Sequence, residues 1–310
     1  MEKIAKCKSL IATYHEKNMA FGGPYVLEFD TEDGKYNIKI EQGITRIIML
    51  KSIEEVSVYD LHAIFSRVER LLMLFDGRFF TLSELILCDS EETNEEMLAS
   101  HVIHFMKGRL SYFQSADFCN YKCDELINFD DVLNTELFAR WERLLDELDI
   151  VHQMYLYSVS DSKMPVDLKC AFLIELAEPL VDIVKQNTNL FSELNPGKKG
   201  TSLKMCLNAL IMQYGNAIFP TEISNVYDEF LIVLVNSRVR IMHIKKKQEK
   251  IYCNGNESVL YSLKMSLLYR KVLFELLGIE EKYYKDKMMK SVTILDKWNN
   301  TLEKFLQRIV

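Results

Sequence analysis

Proline and glycine are scarce in this sequence, with five and eleven in 310 residues. So few chain-breakers argue against disorder and against a sandwich of many tight turns. Positive charge is also short: 38 basic against 45 acidic residues leave a formal charge of −7. That excludes binding of nucleic acid through bulk positive charge, while leaving room for a local basic site. No apolar stretch approaches the roughly 18 uncharged residues that a membrane span requires. The basic start, Met1 to Asn18, lacks an apolar signal-peptide core. Seven cysteines, an odd number scattered over the whole length, fit reduced thiols better than a disulfide framework. The expectation is a cytoplasmic protein without a membrane partner. There is no Gly-rich phosphate loop and no G-x-S-x-G elbow, so nucleotide-hydrolysing and serine-hydrolase chemistry have no support and no cofactor is expected.

The chain divides by its periodicities. In the first part "GPYVLEF", "KYNIKI" and "ITRIIML" are short β-rich runs, and "DTEDGK" is a turn signal between the first two. Residues 56 to 74 have helical spacing, with Leu61, Ile64, Val68, Leu71 and Leu72 on one side. "FFTLSELILCDS" reads as a further strand, and the acidic "DSEETNEE" as a solvated loop or helix start. After about residue 135 the strand signals nearly vanish. A long amphipathic helix is expected over "NTELFARWERLLDELDIVHQMYLYSV", and another over "PVDLKCAFLIELAEPLVDIVKQ" with a kink at Pro179. "NPGKKGTS" breaks the chain, and Thr201 or Ser202 can cap the helix that follows. Three more helices are expected, in residues 223–252, 259–278 and 281–308. The reading is an α+β domain over residues 1–135 followed by an all-helical bundle over 136–310.

Within the bundle, "LVNSRVRIMHIKKK" sets an arginine in the apolar arc of a helix. On a wheel at about 100° per residue, Phe230, Leu231, Leu234, Val235, Ile241 and Met242 share one arc, with Arg238 near its centre. Asn236, Arg240, His243 and Lys247 form a separate polar stripe. A covered guanidinium needs a carboxylate, and Glu175 and Glu178 in "FLIELAEPL" are the candidates. The plain reading is an arginine–glutamate pair inside a bundle. The functional reading is a wall of a ribonuclease groove, because histidine passes protons near neutral pH and arginine stabilises phosphorane charge. The RNA 2′-hydroxyl is then the nucleophile and no metal is required. A regular helix sets Arg238 and His243 about 140° apart, so a joint phosphate site needs a second copy of the helix or a local bend. Residues 238–250 hold six basic side chains against Glu249 alone, a local charge of +5. Lys245, Lys246 and Lys247 in this run are candidate RNA-backbone contacts.

The Arg238-(x)4-His243 spacing resembles that of HEPN domains, the higher eukaryote and prokaryote nucleotide-binding group. The helix "FLIELAEPL" before it and "LYSLKMSLLYRKVLFELLGIEEKY" after it are similar to the ApeA-type branch, strongest from about 165 to 285. The resemblance implies an HEPN-type bundle with a mixed N-terminal sensing or regulatory domain, and metal-independent RNA cleavage in a homodimer groove. It also implies a role in phage defence or as a toxin, answering to a phage-derived or cellular trigger. Arg238 and His243 would be catalytic. One position departs from the pattern: many active members have a polar residue directly after the arginine, where this chain has Val239. Asn236 and Arg240 are the nearby residues able to supply that polarity. A catalytically inactive RNA- or protein-binding module is the alternative that Val239 favours. A further candidate is structural zinc at His101, His104, Cys119 and Cys123, although their order and spacing match no familiar zinc pattern. Cys88, Cys170 and Cys206 lie in apolar runs and read as small core residues.

Overall fold

The computed structural model describes residues 4–15, 24–43, 45–77, 82–88, 96–104, 125–160, 164–243 and 250–309. It forms two compact units, residues 1–146 with 160–162, and residues 147–159 with 163–310. An antiparallel sheet followed by a mostly helical region makes the fold α+β and then helical bundle. No described helix is long and apolar enough to cross a membrane.

The first unit is built on five antiparallel strands, β1 (Lys6–His15), β2 (Tyr25–Asp30), β3 (Tyr36–Gln42), β4 (Thr45–Ser57) and β5 (Leu82–Cys88), in the order β2-β3-β4-β1-β5. One face is apolar because side chains alternate: Ile38 and Ile40, Ile48 and Leu50, and Leu10 and Ala12 are all buried. Helix α1 (Val58–Asp76) contributes Leu61, Phe65, Val68, Leu71 and Leu72 to the same core. Ser57 caps its start by accepting the Asp60 N–H at 3.2 Å, and Gly77 ends it at φ 66°, a left-handed conformation that glycine adopts without steric cost. Two buried polar pairs lie in this unit: Tyr14 donates to Glu69 at 2.6 Å, and Arg46 forms an ion pair with Asp76 at 3.1 Å.

Strand β1 was not expected from the sequence. Buried residues run Ala5 just before it, then Cys7, Ser9, and then Leu10, Ala12, Tyr14 within it. The pairing with β4 shifts register between Cys7 and Ser9. An irregularity of that kind breaks the period-two pattern that marks a strand.

Helix α2 (Thr135–Leu148) packs Trp141 onto α1, its indole N–H donating to the Arg67 carbonyl at 2.8 Å. The expected single helix from here to Val159 is broken at Asp149, whose φ of 39° ends α2 before α3 (Ile150–Val159). The second unit continues with α4 (Val166–Glu175), α5 (Ala177–Asn187), α6 (Leu203–Tyr214), α7 (Pro220–Asn225), α8 (Tyr227–Met242), α9 (Asn256–Leu276), α10 (Lys285–Lys297) and α11 (Thr301–Ile309). The break between α4 and α5 falls at Leu176 rather than at Pro179. A proline ring clashes with the carbonyl four residues earlier, here that of Glu175, which puts the disruption upstream of the proline. Ser202, not Thr201, caps α6. The helix expected over 223–252 is interrupted at Val226, and α8 ends at Met242. The last expected helix is divided between α10 and α11 by Asn299 and Asn300, both at positive φ.

The bundle core contains a sealed ionic cluster that the sequence did not suggest. Lys264 of α9 is 0% exposed, and its Nζ lies 2.7 Å from Glu222 Oε1 and 2.6 Å from Asp296 Oδ1. Three helices, α7, α9 and α10, are tied at this one ammonium. Burial pushes the Glu222 carboxyl up, and the Lys264 charge opposes that shift.

Candidate active site

Helix α8 buries Phe230, Leu231, Val233, Leu234 and Ser237. The buried face is therefore centred away from Arg238, which sits at its border with a side chain 20% exposed. Ile241 and Val235 are half-buried and Met242 is exposed, so the expected apolar arc is partly turned to solvent. Arg238 reaches α4, whose last residue is Glu175. Its Nε donates to Glu175 Oε2, and its Nη2 donates to Oε1 at 2.7 Å. This two-point clamp fixes the guanidinium plane and holds the Arg238 proton more tightly than usual, chiefly through the hydrogen bond to Glu175.

His243 meets the same guanidinium. Arg238 Nη1 lies 3.0 Å from His243 Nε2. The expected separation of about 140° does not apply, because helical geometry stops at Met242. His243 is the capping residue, with φ −103° and ψ 6°, and that turn swings the imidazole back toward Arg238. A guanidinium has only donors, so Nε2 must be the acceptor in this contact and carries no proton there. His243 is exposed. The result is a carboxylate, a guanidinium and an imidazole in sequence, half-buried at the Glu175 end and open at the His243 end.

Asn236 and Arg240, expected as supporting polar groups, hold a returning segment instead. Asn236 Nδ2 donates to the Ile251 carbonyl at 3.1 Å, and the Arg240 guanidinium lies 3.8 Å from the centre of the Tyr252 ring. The Cys253 N–H donates to Ser237 Oγ at 2.8 Å, and Ser237 in turn donates to the Val233 carbonyl at 2.7 Å. The chain beyond the motif is thus strapped along α8, and Ser237 is a structural residue missed from sequence. Its place between two positions already singled out was the available signal.

Glu178 lies in the first turn of α5, near Arg238 but not bonded to it. Burial pushes its carboxyl up, the Glu175 charge adds to that, Arg238 opposes it, and Asp182 adds a little more. The Cys206 thiol on α6 is pushed up to about 11 by burial and by the Glu178 and Asp182 charges.

Lys245, Lys246 and Lys247 lie outside the described residues, as do Cys119 and Cys123. His101 contacts its own helical stretch, with Nδ1 2.9 Å from the Met97 carbonyl, and its ring packs against Tyr59. Among the described residues no group of three or more His, Cys, Asp or Glu side chains is arranged to hold a metal ion.

Comparison with family models, with curated proteins and with solved structures finds no match.

Proposed function

We propose that this protein is a metal-independent endoribonuclease in which His243 and Arg238 act on one phosphodiester. The observation that carries this reading is the 3.0 Å approach of His243 Nε2 to Arg238 at an exposed helix end, with Glu175 clamping the guanidinium from behind. When substrate phosphate takes up the Arg238 donor, the freed Nε2 lone pair accepts the 2′-hydroxyl proton while the 2′-oxygen attacks phosphorus. A fixed guanidinium answers the charge that develops on the phosphorane, and Glu175 holds it at no cost in reorganisation. Lys245 to Lys247 directly follow this site in sequence and would hold the RNA backbone without reading bases. The chemistry agrees with the resemblance to ApeA-type HEPN domains, and with a role in phage defence or as a toxin under control of the N-terminal unit.

A homodimer fits the surface of α8. Ile232, Val235, Val239 and Met242 recur at three- and four-residue spacing, with Ile232 48% and Met242 37% exposed. In this reading Val239 serves packing, which accounts for an apolar residue directly after the motif arginine. A two-fold axis makes this stripe meet itself, and helices crossing near Val239 bring two motif ends into one groove.

The test is incubation of purified protein with RNA in EDTA, followed by mapping of the ends. Cleavage that leaves 2′,3′-cyclic phosphates is expected. Cleavage only with a divalent ion overturns the reading, and RNA retention without cleavage identifies a non-catalytic binding module.

A further inference from the structure

We propose that the Arg240–Tyr252 stack is a nucleobase subsite, seating the base of a nucleotide that flanks the cleaved phosphodiester. The inference rests on the ribonuclease reading above and adds a grip on the bases to the grip on the backbone.

The position follows from the end of α8. The His243 N–H still donates to the Val239 carbonyl at 3.2 Å, so the last turn closes even though helical torsions stop at Met242. Residues three apart across such a turn are surface neighbours, with Cβ atoms about 5–6 Å apart. Arg240 is therefore the neighbour of His243, and its guanidinium lies 3.8 Å from the centre of the Tyr252 ring. Both side chains are half-buried, so the bundle supports the stack without sealing it.

Tyr252 is held through its backbone. The Ile251 carbonyl accepts from Asn236 at 3.1 Å, the Tyr252 carbonyl accepts from Arg308 of α11 at 3.1 Å, and the Cys253 N–H donates to Ser237 Oγ at 2.8 Å. Two helices thus fix three successive residues, whatever side chain stands at position 252. The anchoring does not explain the aromatic ring. Arg240 is set apart in a similar way. Arg238 is paired with Glu175 and Arg308 with Glu257, whereas Arg240 has no carboxylate partner among the described residues and rests on the ring.

A planar cation on a phenol, with uncompensated charge beside a phosphodiester site, suits one ligand chemistry. A nucleobase extends the stack by its π face, while the charge attracts the phosphate joined to it. Stacking requires the base to be out of a duplex, so the substrate is unpaired at this nucleotide.

The experiment measures fluorescence anisotropy of two labelled 2′-O-methyl oligonucleotides, which cannot be cleaved, with the full chain. One is an oligouridylate and the other is the abasic oligomer with the same phosphates. Tyr252→Leu should weaken binding of the oligouridylate by roughly 5- to 150-fold and leave the abasic oligomer unchanged. Arg240→Lys, which keeps the charge and loses the plane, should also weaken only the oligouridylate, and Tyr252→Phe should match the parent. Equal weakening of both ligands by Tyr252→Leu makes the stack structural, and no weakening of either makes it a bystander. Each overturns the subsite, while RNA cleavage by the parent in EDTA leaves the ribonuclease reading standing. A parent that binds neither ligand and cleaves no RNA overturns both. A parent that shows the base-dependent pattern but cleaves nothing supports the subsite and overturns the catalytic reading alone.

Discussion

Two ionic clusters in the helical unit use the same ingredients and differ in access. Lys264 sits between Glu222 and Asp296, with the ammonium and Glu222 both fully enclosed. Arg238 sits between Glu175 and His243, with the imidazole at the surface. In the first, every partner of the cation belongs to the protein and no solute can reach it. Such a cluster fixes how helices meet. In the second, the carboxylate side is committed and the imidazole side is open, so the positioned guanidinium can still meet a ligand. The contrast shows that a paired charge is not by itself a site. What separates the two is whether one partner can exchange with something from solvent.

The largest effect expected from this comparison is on stability, at the enclosed cluster. Lys264→Met leaves the fully buried Glu222, and the partly exposed Asp296, without a counter-charge, and removal of one member of a buried pair costs ~3–5 kcal/mol. Denaturant unfolding measures it, and a loss no larger than that of a surface substitution would remove the distinction between the clusters. A smaller effect is expected in the pH dependence. The folded Glu222 carboxyl is held above its unfolded range, so its contribution is full below the unfolded value and is lost as pH rises through the folded one. Unfolding free energy of the parent relative to Glu222→Gln should therefore decline over that window. A difference that stays constant with pH would show that Glu222 does not titrate as its burial requires.

Much of the fold was legible because local chemistry and tertiary structure agree. Strands β2 to β5 and helix α1 follow their apolar periods, and Ser202 caps α6 as a hydroxyl before an apolar run should. Strand β1 was hidden by an irregular register, and the break at Asp149 by a non-glycine residue at positive φ, which no periodicity signals. At the site, the wheel indicated that Arg238 needs a carboxylate and that Glu175 was near enough in kind. It failed on His243 because a wheel assumes helix through every position, whereas α8 ends one residue earlier. Lys264 was illegible for a related reason: its partners lie 42 and 32 positions away in sequence, and only the packing of three helices brings them together.

The smallest expected change in stability accompanies the largest expected change in chemistry, and that pairing is the most direct test of the account. His243→Ala removes an exposed side chain, and substitutions of that kind usually lie within about 0.5 kcal/mol of the parent. RNA cleavage in EDTA, measured beside thermal unfolding of the same preparation, should fall by roughly 10²–10⁴ with the melting transition unmoved. Full cleavage by the His243→Ala protein, or loss of cleavage only in step with loss of fold, would contradict the claim that the open cluster is the reactive one.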